Sequence, residues 1–186
     1  VLSICASDLN QDGTNDLVSA FYWDGTIAWH ENMGEGAFES EAIVASIANG
    51  ASDVHSVDLD GDGDNDVLSA SAGDDDISWY ENLGEGLFST EISISSELEG
   101  PAKVRAVDLD GDEDLDVISA SKWDGKVVWF ENQGNGEFSN EIIISNSFSY
   151  AFDVFAIDLD GDGDNDVLAG ASFFGKLVWY ENEGGG

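Results

Sequence analysis

Short apolar stretches alternate with polar turns along the whole chain, and this pattern returns every 50 residues. In the segment 48–98, strands are predicted over residues 54–58 and 66–71. A third strand is predicted over residues 77–82 and a fourth over residues 88–95, where apolar and polar positions alternate. Turns rich in Gly, Asp and Asn separate them, and no helical period of any length occurs. The pattern predicts a four-stranded antiparallel meander.

A tryptophan marks the same position in each of four repeats. Residues Trp29, Trp79, Trp129 and Trp179 are 50 apart, and each is followed two residues later by Glu-Asn. A four-stranded unit of this size cannot bury both faces alone, so neighbouring units must stack on it. A radial stack of such sheets is a β-propeller. The repeated tryptophan is therefore predicted to lie in the core between neighbouring blades, because large apolar groups dominate such packing.

The sequence predicts an all-β fold, a β-propeller of four-stranded antiparallel blades with about 50 residues per blade. The predicted blades span residues 1–47, 48–98, 99–148 and 149–186, and the last lacks its fourth strand. A closed ring usually takes about four to eight blades. The roughly 3.75 blades here should therefore expose inter-blade surface, and either further blades or a second copy in a homo-oligomer would complete the ring.

The turn between the first and second strand of each repeat is acidic, with the pattern Asp-x-Asp-x-Asp-Gly-x-x-Asp. Oxygen ligands on alternate residues, with a glycine to turn the backbone, are what Ca²⁺ requires. The residue at position seven of the pattern can offer its backbone carbonyl. We expect up to four Ca²⁺ ions, one per blade. The candidate metal ligands are Asp8, Asn10, Asp12, Thr14 and Asp16; Asp58, Asp60, Asp62, Asp64 and Asp66; Asp108, Asp110, Asp112, Asp114 and Asp116; and Asp158, Asp160, Asp162, Asp164 and Asp166.

Two loops depart from the pattern. Asn10 removes one negative charge at a ligand position, so the first loop should bind a cation more weakly. Glu113 stands where the other loops have glycine, and a left-handed backbone there would be strained by roughly 1 kcal/mol. An EF-hand would place Glu at position twelve and continue into a helix. Here position twelve is Ser or Ala and a strand follows, so the EF-hand interpretation fails.

Composition restricts the partners and the location. The chain has 186 residues, with 40 acidic and five basic side chains and a formal net charge of −35. This balance argues against nucleic acid or an anionic membrane as a partner, because both require a basic surface. No stretch is long and apolar enough for membrane insertion. Calcium is millimolar outside cells, so a secreted or cell-surface setting is expected. The chain starts at Val1 without methionine, so we expect a piece of a longer precursor.

The loop between two short strands resembles the FG-GAP repeat, also known as the VCBS repeat. This unit builds integrin α-subunit propellers and occurs in many secreted bacterial proteins. The resemblance covers essentially the whole chain, although Asn10, Glu113 and the missing Phe-Gly and Gly-Ala-Pro signatures depart from it. It implies a seven-bladed propeller with Ca²⁺ between the first and second strand of each blade. It also implies secretion and a role in adhesion, ligand binding or scaffolding.

Positions that vary between otherwise matching blades are candidates for a ligand site. The turn after the second strand holds Trp23 and Trp123, with Gly73 and the pair Phe173-Phe174 at the equivalent places. Tyr150 lies in a connection between blades, on the face predicted to lie opposite the metal loops. Exposed aromatic rings beside polar groups suit sugars. The alternative is that the two tryptophans cap neighbouring blades, which is the commoner use of aromatic burial.

Three classes of function follow from these features. The first is a binding module for a carbohydrate or protein ligand, favoured by the variable aromatic turns. The second is a structural, self-assembling surface scaffold, favoured by near-identical repeats and an open ring. The third is a part of a polysaccharide-degrading enzyme. A catalytic propeller should break the repeat with a cluster of Lys, His, Tyr or Arg, and the scattered basic residues here predict that the chain is not an enzyme.

Overall fold

The computed structural model describes residues 1–173 and 175–186, and these residues form strands and turns without a helix. No segment of this described part is a helix that could cross a membrane. The first blade contains β1 (Ser3–Ser7), β2 (Asp16–Phe21), β3 (Thr26–His30) and β4 (Ala42–Ala45); the second contains β5 (Ala51–Val57), β6 (Asp66–Ser71), β7 (Asp76–Tyr80) and β8 (Ile92–Ser95). The third contains β9 (Pro101–Val107), β10 (Asp116–Ser121), β11 (Val127–Phe130) and β12 (Ile142–Ser145); the fourth contains β13 (Ala151–Ile157), β14 (Asp166–Ala171) and β15 (Leu177–Tyr180).

Each blade is an antiparallel meander in which neighbouring strands pair in sequence order. The first strands of successive blades lie side by side, so β1, β5, β9 and β13 surround the axis. This arrangement confirms the predicted all-β propeller of about 3.75 blades. The second strand of the second blade has the predicted bounds, but the fourth strand is shorter than predicted. Its expected start at Phe88 makes only an isolated bridge to Asn82.

The repeated tryptophans fill the interfaces between blades, as predicted. Trp29, Trp79 and Trp129 are all buried. Each indole ring lies under the second glycine of a Gly-x-Gly turn in the following blade, at Gly86, Gly136 and Gly186 respectively. A side chain at any of these glycines would collide with the ring. The Gly-x-Gly turn is therefore a packing surface for the tryptophan as well as a turn.

The two ends of the stack expose residues that are buried elsewhere. Trp179 is 42% exposed and Leu159 is 50% exposed, whereas the equivalent Trp79 and Leu59 are almost completely buried. At the other end, Phe38 of the first blade is 44% exposed. The prediction of exposed inter-blade surface is therefore confirmed.

Candidate metal loops and axial pocket

The last aspartate of each acidic loop anchors the loop to its own blade. Asp66 is buried at the start of β6, and its carboxylate accepts the backbone N–H of Leu59 at 3.0 Å and of Asn82 at 2.8 Å. The equivalent carboxylates of Asp16, Asp116 and Asp166 make the same pair of bonds in the other blades. This aspartate therefore joins the start of the loop to the end of the third strand.

The first aspartate of the loop curls the backbone. The Asp58 carboxylate accepts the N–H of Gly61 at 2.8 Å and the N–H of Gly63 at 3.0 Å. The left-handed backbone at Gly63, with φ of 100°, is what a glycine supplies without steric cost. The loop therefore closes on itself around the Asp58 carboxylate.

Carboxylate oxygens converge in three of the four loops. In each group, one oxygen from each of three aspartates lies within 4.8 Å of the other two. The groups are Asp58, Asp60 and Asp62; Asp108, Asp110 and Asp116; and Asp158, Asp160 and Asp166. Clustered hard oxygen donors without neighbouring cationic side chains suit a hard divalent cation such as Ca²⁺. These residues fit the ion that the sequence predicts.

Several predicted ligands lie outside these three-oxygen groups. They are Asp64, Asp66, Asp112, Asp114, Asp162 and Asp164. The carboxylates of Asp112 and Asp162 instead accept the backbone N–H two residues later, at 2.9 Å and 3.0 Å. The Asp64 side chain is bonded by Gln11 of the neighbouring loop. Their predicted part in metal binding stays a prediction.

The first loop differs from the other three. The Asn10 amide donates to Glu31 at 3.1 Å, and the Thr14 hydroxyl donates to the Asp12 carboxylate at 2.6 Å. The Thr14 hydroxyl, followed by the Thr14 backbone N–H, holds the pKa of the Asp12 carboxyl below its usual value. Within the described residues, Asp8, Asp12 and Asp16 do not form a converging group of three oxygens. This geometry fits the prediction that the first loop binds a cation more weakly.

Burial and mutual repulsion raise the pKa of several loop carboxylates. Burial raises the pKa of Asp66 to about 7 and that of Asp116 to about 6, against the opposing effect of their backbone hydrogen bonds. In the last blade the backbone N–H of Asn182 lowers the pKa of Asp166. Burial also raises the pKa of Asp60 and Asp110, and neighbouring carboxylates add to the shift. A divalent cation would compete with protons for the carboxylate oxygens of these aspartates.

Glu113 has the strained conformation that the sequence predicts for it. Its φ is 79°, close to the 89° of Gly13 at the equivalent position of the first loop. Its backbone N–H still donates to the Asp108 carboxylate, at 3.2 Å. The third loop therefore keeps the shape of the others, although the left-handed backbone at Glu113 is unfavourable for a residue with a side chain.

Each of the first three acidic loops is also held by the next blade. The Asn82 side-chain amide donates to the Leu9 carbonyl at 2.8 Å, and Asn132 donates in the same way to Leu59 at 2.9 Å. Asn182 repeats the bond to the Leu109 carbonyl at 2.7 Å. The repeated Glu-Asn after each tryptophan was the sequence signal for this contact, but its role is visible only once the blades are stacked.

A pocket of about 480 Å³ lies at the axis, at the ends of the strands opposite the acidic loops. Trp23 and Tyr150, from the first and last blades, both line it, which confirms that the two variable regions share one face. The Trp23 ring is 91% exposed and meets Tyr22 edge to face, so it does not cap a neighbouring blade. The other lining residues are Val1, Leu2, Ser3, Phe21, Tyr22, Asp24, Ser52, Asp53, Ala102, Lys103, Lys122 and Phe152.

The other two predicted ligand residues lie outside the pocket lining. Trp123 packs over the backbone of Gly100, and its ring is 56% exposed. Phe173 meets Tyr150 edge to face, with ring centres 5.0 Å apart, and so supports a residue of the pocket. Phe174 lies outside the described residues. The structure therefore separates Trp23 from Trp123, which the sequence treats as equivalent.

Charged residues at the base of the pocket were not predicted as part of a site. Asp53 is buried, and its carboxylate accepts Lys103 at 3.0 Å and Arg105 at 2.8 Å. Ser3 and the backbone N–H of Val104 also donate to it. Arg105 therefore pairs locally, as the surrounding acidic residues suggest. Asp53 and Lys103 come from different blades, at positions that vary between repeats, and this variation was the only available signal.

Radial sheets with an acidic loop between the first two strands of each blade define a β-propeller built of acidic-loop repeats. The sequence matches the FG-GAP-like repeat over residues 8–69, 58–119 and 108–169. The chain belongs to the FG-GAP-like repeat family.

Solved structures share this fold at low sequence identity. An Agrocybe aegerita lectin, described as recognising non-reducing terminal N-acetylglucosamine, is 22% identical with a TM-score of 0.67, and the match covers 99% of this chain and 50% of the lectin chain. The Photorhabdus luminescens Tc holotoxin pore is 20% identical with a TM-score of 0.57, covering 95% of this chain and 9% of that chain. The V. cholerae biofilm matrix protein Bap1 is 20% identical with a TM-score of 0.50, covering 90% and 27% respectively. This chain thus spans half or less of each neighbour. No curated protein sequence matches it.

Proposed function

We propose that this chain is an extracellular, calcium-stabilised propeller module that binds a saccharide in the axial pocket. The observation that carries this proposal is the Trp23 ring, which is almost fully exposed at the edge of a concave site. An indole left in water at a pocket edge has unused apolar surface, and the apolar face of a sugar ring can cover it. Asp24 and Ser52, which also line the pocket, supply polar partners for sugar hydroxyls.

The structural neighbours support this choice without deciding it. One is described as a lectin that recognises a terminal sugar, and another as a biofilm matrix protein. Lys103 and Arg105 are both bonded to Asp53, which favours a structural role for these two side chains over acid–base catalysis.

Calcium is proposed to stabilise the loops at the opposite end of the blades. The converging carboxylates of the second, third and fourth loops would hold the ion, and the first loop would hold it less tightly. The bound cation would offset the repulsion between carboxylates that lie within a few ångströms of one another. Millimolar calcium outside the cell suits such loops, which supports an extracellular location.

A glycan-array screen in Ca²⁺, repeated in EDTA, tests the proposed function. We expect binding that needs Ca²⁺ for stability and is lost in Trp23→Ala. Trp123→Ala is the matched control, because Trp123 is an exposed tryptophan of the same turn in another blade and lies outside the pocket. Equal loss in both variants, or binding that Trp23→Ala leaves unchanged, would argue against the pocket.

Assembly is a second candidate function, and the exposed ends of the stack favour it. Trp179 lacks the glycine turn that covers the other tryptophans, and Gly36 of the first blade has open space where a tryptophan would lie. The two ends are thus the complementary halves of one inter-blade interface, so a second copy could dock head to tail. Sedimentation at increasing concentration tests this: we expect association that Leu177→Lys abolishes. A monomer at every concentration would contradict it.

A further inference from the structure

The chain has only five basic residues, and most of them are already bonded to carboxylates. Lys103 and Arg105 bind Asp53, while Lys126 binds Glu141 at 2.9 Å. The remaining two lie over aromatic rings. The Lys122 Nζ is 5.5 Å from the centre of the Phe152 ring, and the Lys176 Nζ is 4.5 Å from that of Phe148.

Lys122 is the cation of the axial pocket that has no carboxylate partner. Among residues 1–173 and 175–186, no carboxylate oxygen lies within 4.0 Å of its Nζ atom. It is half-buried, and desolvation lowers its pKa. A half-buried ammonium without a counter-ion is unusual in a chain of net charge −35. An anionic group of a ligand would restore the charge balance.

The pocket base does not oppose such an anion. Asp53 is enclosed by donors, since Ser3, Lys103, Val104 and Arg105 all contact its carboxylate. Two cations share this one carboxylate, so its charge is more than neutralised where it lies. Asp24 is the remaining acidic residue of the lining. The pocket is therefore a locally balanced region on a strongly acidic protein.

The pocket also places an aromatic platform and a cation on one concave surface. Trp23 comes from the β2–β3 turn of the first blade, and Lys122 follows β10 in the third blade. The equivalents of Lys122 in the other blades are Tyr22, Ala72 and Ser172, so the cation breaks the repeat at one position. Residues that depart from a repeat at a concave site are the natural determinants of ligand specificity.

We propose that the saccharide bound in the axial pocket carries an anionic substituent, which accepts from the Lys122 ammonium while its sugar ring lies on Trp23. The ligand class is an acidic glycan, with the charge on either a uronic acid carboxylate or a sulfate ester. This inference rests on the proposed saccharide-binding function. To that function it adds that the ligand is anionic and that Lys122 recognises its charge.

Titration calorimetry in Ca²⁺ with matched sugar pairs tests the inference. One pair is a hexuronate trisaccharide and its methyl ester, and the other is a sulfated trisaccharide and its desulfated form. We expect wild-type protein to bind one charged member at least about tenfold more tightly than its neutral counterpart. The pair that shows this preference identifies the anionic group. Added salt should weaken the preference.

Variants at two lysines separate the charge from the packing. Lys122→Met keeps an apolar stem against Phe152 and should abolish the preference for the charged sugar. Lys122→Arg should retain the preference. Lys176→Met is the matched control, because Lys176 also lies over an aromatic ring but outside the pocket lining.

The outcomes distinguish this inference from the function on which it rests. If sugars bind and Trp23→Ala abolishes binding, but charged and neutral sugars bind equally, the inference is overturned and the proposed function stands. A charge preference that survives in Lys122→Met also overturns it. If no sugar of either kind binds, both fail.

Discussion

The Trp79 indole of the second blade lies directly against Gly136 of the third, and a Cβ atom at residue 136 would lie 2.5 Å from the ring. The same tryptophan-to-glycine contact joins the first blade to the second and the third to the fourth. Blade stacking therefore depends on a residue without a side chain, at a position where the sequence alone suggests only a turn.

Substituting this glycine should destabilise the stack more than a turn glycine elsewhere. Gly136→Ala adds a collision with Trp79, costing about 1–3 kcal/mol, to a backbone strain of about 1 kcal/mol at φ of 72°. Gly36→Ala is the matched control, because its φ is 79° and no atom lies within 4 Å of the added Cβ. Thermal unfolding should show a clearly larger loss for Gly136→Ala. Equal losses would mean that the contact contributes little.

Asn132 should be more important than its counterpart in the first blade. Its amide donates to the Leu59 and Leu115 carbonyls, at 2.9 Å and 3.1 Å, in a buried position. Asn132→Ala leaves the Leu59 and Leu115 carbonyls without this donor, and the buried unpaired group at Leu59 should cost about 1–3 kcal/mol. In Asn32→Ala the lost bonds, to the Asn15 carbonyl and from the Gly34 N–H, both lie within the first blade. Urea unfolding of the two variants measures the difference, and similar midpoints would contradict the inter-blade role.

Restoring a carboxylate in the first loop should have opposite effects with and without calcium. Asn10→Asp gives the loop the ligand pattern of the second, so calcium should stabilise the variant more than wild type. In EDTA the same change removes the bond from Asn10 to Glu31 and adds repulsion, so the variant should melt at a lower temperature than wild type.

Melting curves of Asn10→Asp and wild type, recorded in Ca²⁺ and in EDTA, check both expected changes in melting temperature. For wild type, chelation itself should lower the melting temperature by tens of degrees. When free Ca²⁺ is at 100 times the dissociation constant of a loop, its binding adds about 2.7 kcal/mol to the free energy of unfolding. Identical curves with and without chelator would refute the calcium assignment in all four loops.

Glu113→Gly should stabilise the third loop. The residue has φ of 79°, and glycine would relieve about 1 kcal/mol of strain. The melting temperature should rise by about 2–4 °C for a chain of this size. Glu113→Gln is the control, because it removes the charge and keeps the strained backbone. A rise of the same size in both variants would assign the effect to charge instead.

His55 should make the protein less stable in mild acid. Burial and the Arg105 guanidinium lower its pKa below the ordinary 6.5. The unfolded chain therefore binds a proton at a higher pH than the folded chain does, and stability falls as the pH drops below that ordinary value. His55→Gln should reduce the difference between urea midpoints measured at about pH 7.5 and about pH 5.5. An unchanged difference would show that the acid sensitivity comes from elsewhere.

Much of the fold was predictable because every repeat carries the same information. The 50-residue period placed Trp79 between blades and placed the acidic turns between the first two strands. The strand 66–71 was predicted with its observed bounds because its apolar residues Val67, Leu68 and Ala70 stand between the polar residues of the acidic loop and of the next turn.

The axial pocket was only partly predictable. Trp23 and Tyr150 are large aromatic residues at positions that vary between blades, so the sequence alone marks each as a candidate ligand residue. Asp53 lies in β5 of the second blade, whereas Lys103 in β9 and Lys122 after β10 belong to the third. Only the packing of β5 beside β9 around the axis brings them together. The charges that pair here are far apart in the sequence, and the repeat pattern does not indicate which of them come into contact.

The bond from Asn82 to the Leu9 carbonyl, which lies between the ligand positions Asp8 and Asn10 of the preceding loop, would link the proposed ion binding to stacking. An ion that orders the first loop also orders the carbonyl on which the second blade is docked. By thermodynamic reciprocity, docking of that blade must raise the ion affinity of the loop by the same factor. The propeller is then a row of coupled sites in which each occupied loop favours the next, so calcium should fill it over a narrow range of concentration.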